Sequence, residues 1–381
     1  MISTTRKIEL EKLCSIITDG THQTPKYSDT GYIFLSSKNV VGEKIDWVNV
    51  KYIPEYLHNE LYSRISPQLN DILLAKNGTT GVAALVDKNH IFDIYVSLAL
   101  LRPTKDVEPK YLLYAINSPS TKRFFNSNLK GIGVPNLHLK YIRKTLIPIY
   151  TLEEQKKIAT ILGKVSNLIS LQKQQLEKLD LLVKSRFIEM FGDIEINPFN
   201  WNETIFGNIS KVRQGLQIPI SERKTKMEEN SFPYITIQFL NGRKQAEYIK
   251  NPKKIVLCCK DDILMTRTGN TGMVITNVAG VFHNNFFLID FDRKVLNKIF
   301  LVYYLKSNYI QAEITKRAGT STIPDLNHGD FYKIKLYLPP IDLQNQFSDF
   351  VHQIEKQKSI IRRGLDKLEL LKKALMQEYF G

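Results

Sequence analysis

The sequence predicts an α+β chain built as an internal repeat, in which two mixed α/β domains alternate with two long helices that pair with each other as a coiled coil. Three observations carry this prediction. The later part of each half matches the other without a gap, two stretches of about forty residues carry apolar side chains at helical spacing, and the segments before them read as short strands broken by turn residues.

The repeat comes first. Glu189, Met190, Phe191 and Gly192 recur as Glu378, Tyr379, Phe380 and Gly381. The same offset carries Leu176, Glu177, Lys178 and Leu179 onto Leu365, Asp366, Lys367 and Leu368, and Val134, Pro135, Asn136 and Leu137 onto Ile323, Pro324, Asp325 and Leu326. Further upstream Asp71, Ile72, Leu73, Leu74, Ala75 and Lys76 match Asp262, Ile263, Leu264, Met265, Thr266 and Arg267, each followed by a Gly-x-x-Gly turn. The earliest segments, Phe34 to Val40 and Tyr234 to Leu240, align only loosely. Two copies with one job would stay alike throughout, so the shared ends read as scaffold and the divergent fronts as the parts that vary in what they recognise. The chain divides accordingly into residues 1–150, 151–192, 193–340 and 341–381.

In the first helical stretch, Leu152 to Met190, apolar residues recur at three- and four-residue steps through Ile158, Ile161, Leu162, Val165, Leu168, Ile169, Leu176, Leu179, Leu182 and Val183. Thr151 and Glu154 form a capping box ahead of it, and Gly192 supplies the stop. The second stretch follows Pro339 and Pro340 and runs through Phe347, Phe350, Val351, Ile354, Ile361, Leu365, Leu368, Leu371 and Leu375. At 1.5 Å per residue such helices span roughly 60 Å, more than a globular domain needs. Each stripe can pack on its own domain or on the other helix; spacing near 3.5 over several heptads favours the second. The expected contacts are Ile161, Val165, Leu168, Leu176, Leu179 and Leu182 against Ile354, Ile361, Leu365, Leu368 and Leu371. Gln172, standing where Ile361 stands in the other seam, reads as a register-setting residue.

The fronts carry β-branched and aromatic runs at Tyr32 to Leu35, Asp71 to Ala75, Ile91 to Leu101, Tyr234 to Ile237, Ile263 to Thr266 and Phe286 to Phe291. Each also has a helical pattern, at Pro109 to Asn117 and Lys298 to Lys306.

Lys and Arg number 53 against 38 acids, a net charge of +15 that draws the chain to polyanions, nucleic acid first among them. Solubility alone is the plainer reading of that charge. No run of about eighteen apolar residues occurs and Met1 to Lys7 leads into Ile8 without an apolar signal core, so a soluble cytoplasmic protein is expected. Cys14, Cys258 and Cys259 make neither a disulfide framework nor a zinc site. No nucleotide loop surrounds Gly78 and Gly81 or Gly269 and Gly272, the seven histidines include no H-E-x-x-H, and Asp261 and Asp262 lack the companions of a metal nuclease. Asn197, Pro198, Phe199 and Asn200 lack the second proline of an adenine-methyltransferase motif and read as linker. No catalytic or metal-binding residue is assigned.

The segment Asp19, Gly20, Thr21, His22, Gln23, Thr24, Pro25, the Phe34 to Val40 stretch, the Asp71 and Asp262 segments, Leu152, Glu153, Glu154, Gln155 opening a long helix, and Phe191, Gly192, Asp193 leading through Asn197, Pro198 and Trp201 occur in one order. Together they resemble the specificity subunits of type I restriction-modification enzymes, over nearly the whole chain. The resemblance implies two target-recognition domains that each read one half of a split DNA site, held apart by two antiparallel helices. It also implies docking of two methyltransferase subunits on the helices and of two motor-nuclease subunits for cleavage. S-adenosylmethionine, ATP and magnesium then belong to those partners, with no cofactor in this chain. Ile341, Asp342, Leu343 and Gln344 depart from the Leu-Glu-Glu-Gln start of the first helix. In such an arrangement a four-residue helical insertion, about 6 Å, lengthens the unread gap by one or two base pairs.

Phosphate contact calls for cations and small donors, and base readout for forked or amide side chains. The glycine-flanked turns offer Lys76, Asn77, Thr79 and Thr80 in one copy and Arg267, Thr268, Asn270 and Thr271 in the other; the alternative is a structural hairpin whose glycines take positive φ. Thr21, His22, Gln23, Lys26, Lys38, Asn39 and Gln238 are candidates for readout, and Lys130, Lys316 and Arg317 for phosphate clamps, with surface solvation the competing reading.

Overall fold

The computed structural model describes residues 6–130, 135–319 and 324–381; Val134 and Ile323 of the repeat lie outside the described residues. Contacts divide the chain into two compact units, one of residues up to Gln174 together with Arg362–Gly381, the other Gln175–Ile361. This division cuts across the four segments marked in the sequence, because each long helix gives one half to each unit.

In the first unit, strands Cys14–Asp19, Leu98–Pro103, Ile72–Ala75 and Ala83–Leu85 form an antiparallel sheet in that order. A second sheet runs Lys51–Ile53, Tyr32–Leu35, Phe92–Ile94, with its last pair parallel. Ile72, Leu74, Ala99 and Leu101 pack with Tyr111, Leu112 and Ile116 of helix Pro109–Asn117, whereas Leu73, Ala75, Leu98 and Leu100 pack with Leu35 and Phe92. Both faces of the central strands are covered, which is why they read as continuous apolar runs without alternation. The run Ile91 to Leu101, read as one segment, is two strands in different sheets: the chain turns at Tyr95, where Leu98 N–H donates to the Tyr95 carbonyl at 2.9 Å.

The second unit repeats this plan. Ser210–Gln214, Phe286–Phe291, Ile263–Thr266 and Val274–Ile275 form the antiparallel sheet, and Tyr248–Lys250, Ser231–Ile235, Gly280–Phe282 and Leu257–Cys258 the other, again with one parallel pair. Arg6–Glu9 with Leu146–Ile149, and Asn202–Ile205 with Lys335–Leu338, pair at equivalent places. The repeat therefore extends into the fronts, where the sequences barely align.

The long helices are Leu152–Phe191 and Ile341–Phe380. Thr151 N–H donates to Glu154 Oε2 at 2.9 Å and Glu154 N–H to Thr151 Oγ1 at 3.4 Å, the expected capping box. Gly192, at φ 79°, ends the first helix. In the first unit Lys173 pairs with Glu369 at 2.8 Å, and Met376 and Phe380 share a core with Ile158 and Leu162. In the second, Lys358 pairs with Asp180 at 2.6 Å and Phe187 and Phe191 pack on Phe347. Within each unit the numbering falls along one helix as it rises along the other, so the helices are antiparallel.

Val165 and Ile354 are buried in this packing, and Leu176, Leu179, Ile361, Leu365 and Leu368 are half-buried. Four expected contacts are corrected: Ile161, Leu168, Leu182 and Leu371 are 41, 48, 46 and 46% exposed. Each stands one residue before a more buried position, respectively Leu162, Ile169, Val183 and Lys372. One residue is about 100° of helix, enough to move a side chain from the seam to its flank. The apolar stripe in the sequence is wider than the seam.

Candidate nucleic-acid interface

Both glycine-flanked turns are hairpin ends of the kind positive φ requires. Gly78 and Gly81 have φ of 74° and 83°, Gly269 and Gly272 of 82° and 91°. Gly81 N–H closes onto the Ala75 carbonyl and Gly272 N–H onto that of Thr266, each at 2.8 Å. From this shared frame the side chains diverge.

In the first unit Lys76 is buried and its amine lies 2.5 Å from Asp19 Oδ2, so it is a paired internal charge and no free phosphate contact. The next residue, Asn77, forms a β-bridge with Asn136, held by Leu137 N–H to the Lys76 carbonyl at 3.0 Å. Asn77 and Asn136 line a cleft of about 540 Å³ with Asp19, His22, His138 and Lys140. The side-chain oxygens of both asparagines are buried and have no hydrogen-bond partner among the described residues. Lys130, exposed, pairs through its backbone with Asn136. Thr79 is exposed on the turn, and the half-buried Thr80 hydroxyl returns to the Gly78 carbonyl at 3.3 Å.

A neighbouring cleft of about 590 Å³, which shares His22, is lined by Thr21, Gln23, Lys26, Glu60 and Arg64. The loop that carries Thr21, Gln23 and Lys26 is pressed against the Phe92–Ile94 strand: a Cβ on Gly20 would overlap the Ile94 carbonyl oxygen. Gly215 stands in the same relation to the Phe282 carbonyl of the second unit. Gly20 belongs to the Asp19 to Pro25 motif, and its role as an anchor is set by a strand distant in sequence.

Asn39 is withdrawn as a reader. It is buried, its Oδ1 accepts the Ser36 N–H at 2.9 Å and its Nδ2 donates to the Asn49 carbonyl at 3.0 Å, so both amide ends brace a helical turn. Lys38 beside it is exposed, as is Gln238 on the short helix Ile237–Leu240.

In the second unit Thr268 bridges Asp325 as Asn77 bridges Asn136, and Leu326 N–H meets the Arg267 carbonyl at 2.9 Å. Here the side chains engage one another, although the buried Arg267 Nε keeps no hydrogen-bond partner among the described residues. Asp325 receives Arg267 at 2.6 Å and the Thr268 hydroxyl at 2.7 Å, and the Arg267 guanidinium lies 5.4 Å from the Phe287 ring centre. The Thr271 hydroxyl donates to the Pro324 carbonyl at 3.1 Å, and Asn270 is exposed. Burial, and secondarily the charge of Arg267, hold the His328 imidazole below its ordinary 6.5, which keeps it neutral at pH 7. Arg317 and the exposed Lys316 both lean on Glu313, at 3.2 and 4.0 Å, so part of their charge is neutralised.

Among the described residues no group of three or more His, Cys, Asp or Glu is placed to hold a metal ion, and no helix is long and apolar enough to cross a membrane. The model of the type I restriction modification DNA specificity domain matches the chain twice, at residues 8–181 and 198–370. The chain belongs to this family. It carries two DNA specificity domains, and the resemblance read from its motifs holds along its length. This specificity chain is 24% identical over 335 residues to the type I restriction enzyme MjaVIII specificity subunit of Methanocaldococcus jannaschii, covering 81% of this chain and 77% of that one. It is 24% identical over 401 residues to the StySPI specificity subunit of Salmonella potsdam, covering 94% and 84%. The crystal structure of the type I restriction-modification S subunit from M. genitalium matches with a TM-score of 0.63 at 18% identity, over 100% of this chain and 98% of that one, and has the same fold.

Proposed function

We propose that this type I specificity subunit is the non-catalytic DNA reader of its complex, each unit recognising one half of a split double-stranded site. The observation that carries this reading is one backbone frame, present twice, with different polar side chains at the same bridge: Asn77 and Asn136 in one unit, Thr268 and Asp325 in the other. A scaffold that holds its geometry while changing its hydrogen-bonding groups suits two readers of different DNA words. The net charge of +15 supplies attraction to the duplex irrespective of sequence.

The long helices set the gap between the half-sites and dock two methyltransferase subunits. Support comes from apolar side chains left on their flanks: Ile161, Leu168, Leu171 and Leu371 in the first unit, and Leu181, Leu182 and Ile188 in the second. Two motor-nuclease subunits join for cleavage, and S-adenosylmethionine, ATP and magnesium sit on these partners.

The test is to purify the chain alone and with its modification subunits, and to map methylated bases in exposed DNA. The assembly is expected to mark one split motif and the lone chain none. Methyl transfer or cleavage by the lone chain overturns the proposal.

A further inference from the structure

The cleft at the bridge of the first unit holds two buried acceptors that nothing in the described structure satisfies, Asn77 Oδ1 and Asn136 Oδ1. An acceptor removed from water and left unpaired is a cost that a donor from outside would relieve. A phosphate cannot be that donor, because its oxygens only accept. The Lys76 charge is already met by Asp19, and a phosphate drawn to Lys140 at the cleft would still leave the two asparagine oxygens without a donor. The base edges of the major groove do present donors, the exocyclic amino groups of adenine N6 and cytosine N4.

We propose that Asn77 and Asn136 are the specificity-determining pair of the first DNA specificity domain, their amides turning into the cleft they line as DNA enters so that a side-chain oxygen takes the free hydrogen of a base's exocyclic amino group, with Lys76 and Asp19 holding the strand end that carries Asn77. The inference deepens the DNA-reading function proposed above and rests on it. The second unit supplies the contrast: at the same bridge stands a partly exposed carboxylate, Asp325, already engaged by Arg267 and Thr268, in place of a buried, unpaired amide oxygen. The two half-sites are therefore read by different chemistry at one place in the fold.

The experiment assembles the full chain with its modification subunits and compares the methylated motif of wild type with Asn77→Leu and Asn136→Leu. The expected result is that one adenine or cytosine position of one half-site loses on the order of tenfold in preference, while the other half-site and the gap keep theirs. Retention of the second half-site shows that the variant has folded. Where a leucine variant does not assemble, Asn77→Ser and Asn136→Ser, small and polar, take its place with the same expectation. Replacing the affected base by purine or by pyrimidin-2-one, which lack the amino group, distinguishes an adenine from a cytosine target in the wild type. An unchanged motif in all four variants overturns the assignment and leaves the DNA-reading function standing. A uniform fall in rate at every site, with preferences intact, also overturns it. A wild-type assembly that marks no split motif removes the functional reading and this inference together.

Discussion

Lys358 Nζ lies 2.6 Å from Asp180 Oδ1 and 2.5 Å from Glu355 Oε1, although its own side chain is only 7% exposed on the face of the second helix that meets the first. Burial alone would depress the amine, but the two carboxylates outweigh it and hold its pKa above the ordinary 10.5. A raised pKa on a cation gives stability that is fully present below pH 10.5 and lost as the pH climbs through the folded value. Asp180→Ala is expected to cost about 1 kcal/mol, since Glu355 remains and Asp180 is itself largely exposed. Lys358→Met leaves two solvated carboxylates and no buried charge, so it should fold within about 1 kcal/mol of wild type and lose the share of the alkaline sensitivity that Lys358 contributes, while buried tyrosines such as Tyr111 and Tyr304, their pKa raised by burial, keep theirs. Urea unfolding at pH 7 and pH 11 checks both; a Lys358→Met protein much weaker than Asp180→Ala would contradict the account.

Gln172, expected to set register, lies against Gly364 of the other helix within the first unit: a Cβ there would sit 3.1 Å from Gln172 Nε2. Alanine at Gly364 regains helix propensity of about 1 kcal/mol and needs only a small shift of the amide tip, so Gly364→Ala should be neutral or stabilising. Gly364→Leu should cost roughly 1–3 kcal/mol by overpacking, and Gln172→Ala should recover part of that loss. A double-mutant cycle on unfolding midpoints reads the coupling, and additivity would show that the two do not interact.

Gly20→Ala and Gly215→Ala are expected to destabilise by about 2 kcal/mol or more, because the added carbon meets backbone of a neighbouring strand, which cannot rotate away as a side chain can. For Gly20→Ala the loop of Thr21, His22 and Gln23 moves as well, so DNA binding should fall beyond what stability explains. Thermal melts beside duplex titrations would separate the two effects, and a Gly20→Ala protein with wild-type melting would remove the anchor.

Ile161→Lys with Leu168→Lys should leave thermal stability nearly unchanged, both residues being exposed, yet weaken assembly with the modification subunits at least tenfold. Sedimentation of mixed subunits measures this. Undiminished assembly would place the docking surface elsewhere.

Repeat, long helices, capping box and positive-φ glycines were all legible in the sequence, because each depends on residues close together in the chain or on a pattern repeated many times. The seam was only partly legible: a 3.5-residue pattern locates an apolar stripe, but which edge of it faces the partner depends on packing that Ile161 and Leu168 do not announce. The cleft was least legible. Lys76 finds Asp19 and Asn77 finds Asn136 across long stretches of chain, and no local pattern records such meetings. A signal did exist in the repeat, where Pro135, Asn136 and Leu137 match Pro324, Asp325 and Leu326 except at the middle place, so a segment taken for scaffold carries the difference.

The core of the first unit includes Met376 and Phe380, whereas the second unit is one uninterrupted stretch, Gln175–Ile361. The first unit is thus closed by turns of helix far removed in sequence, and the second by its own continuous stretch. A break in the second helix after Ile361 would open the core of the first unit and leave intact the stretch that makes the second.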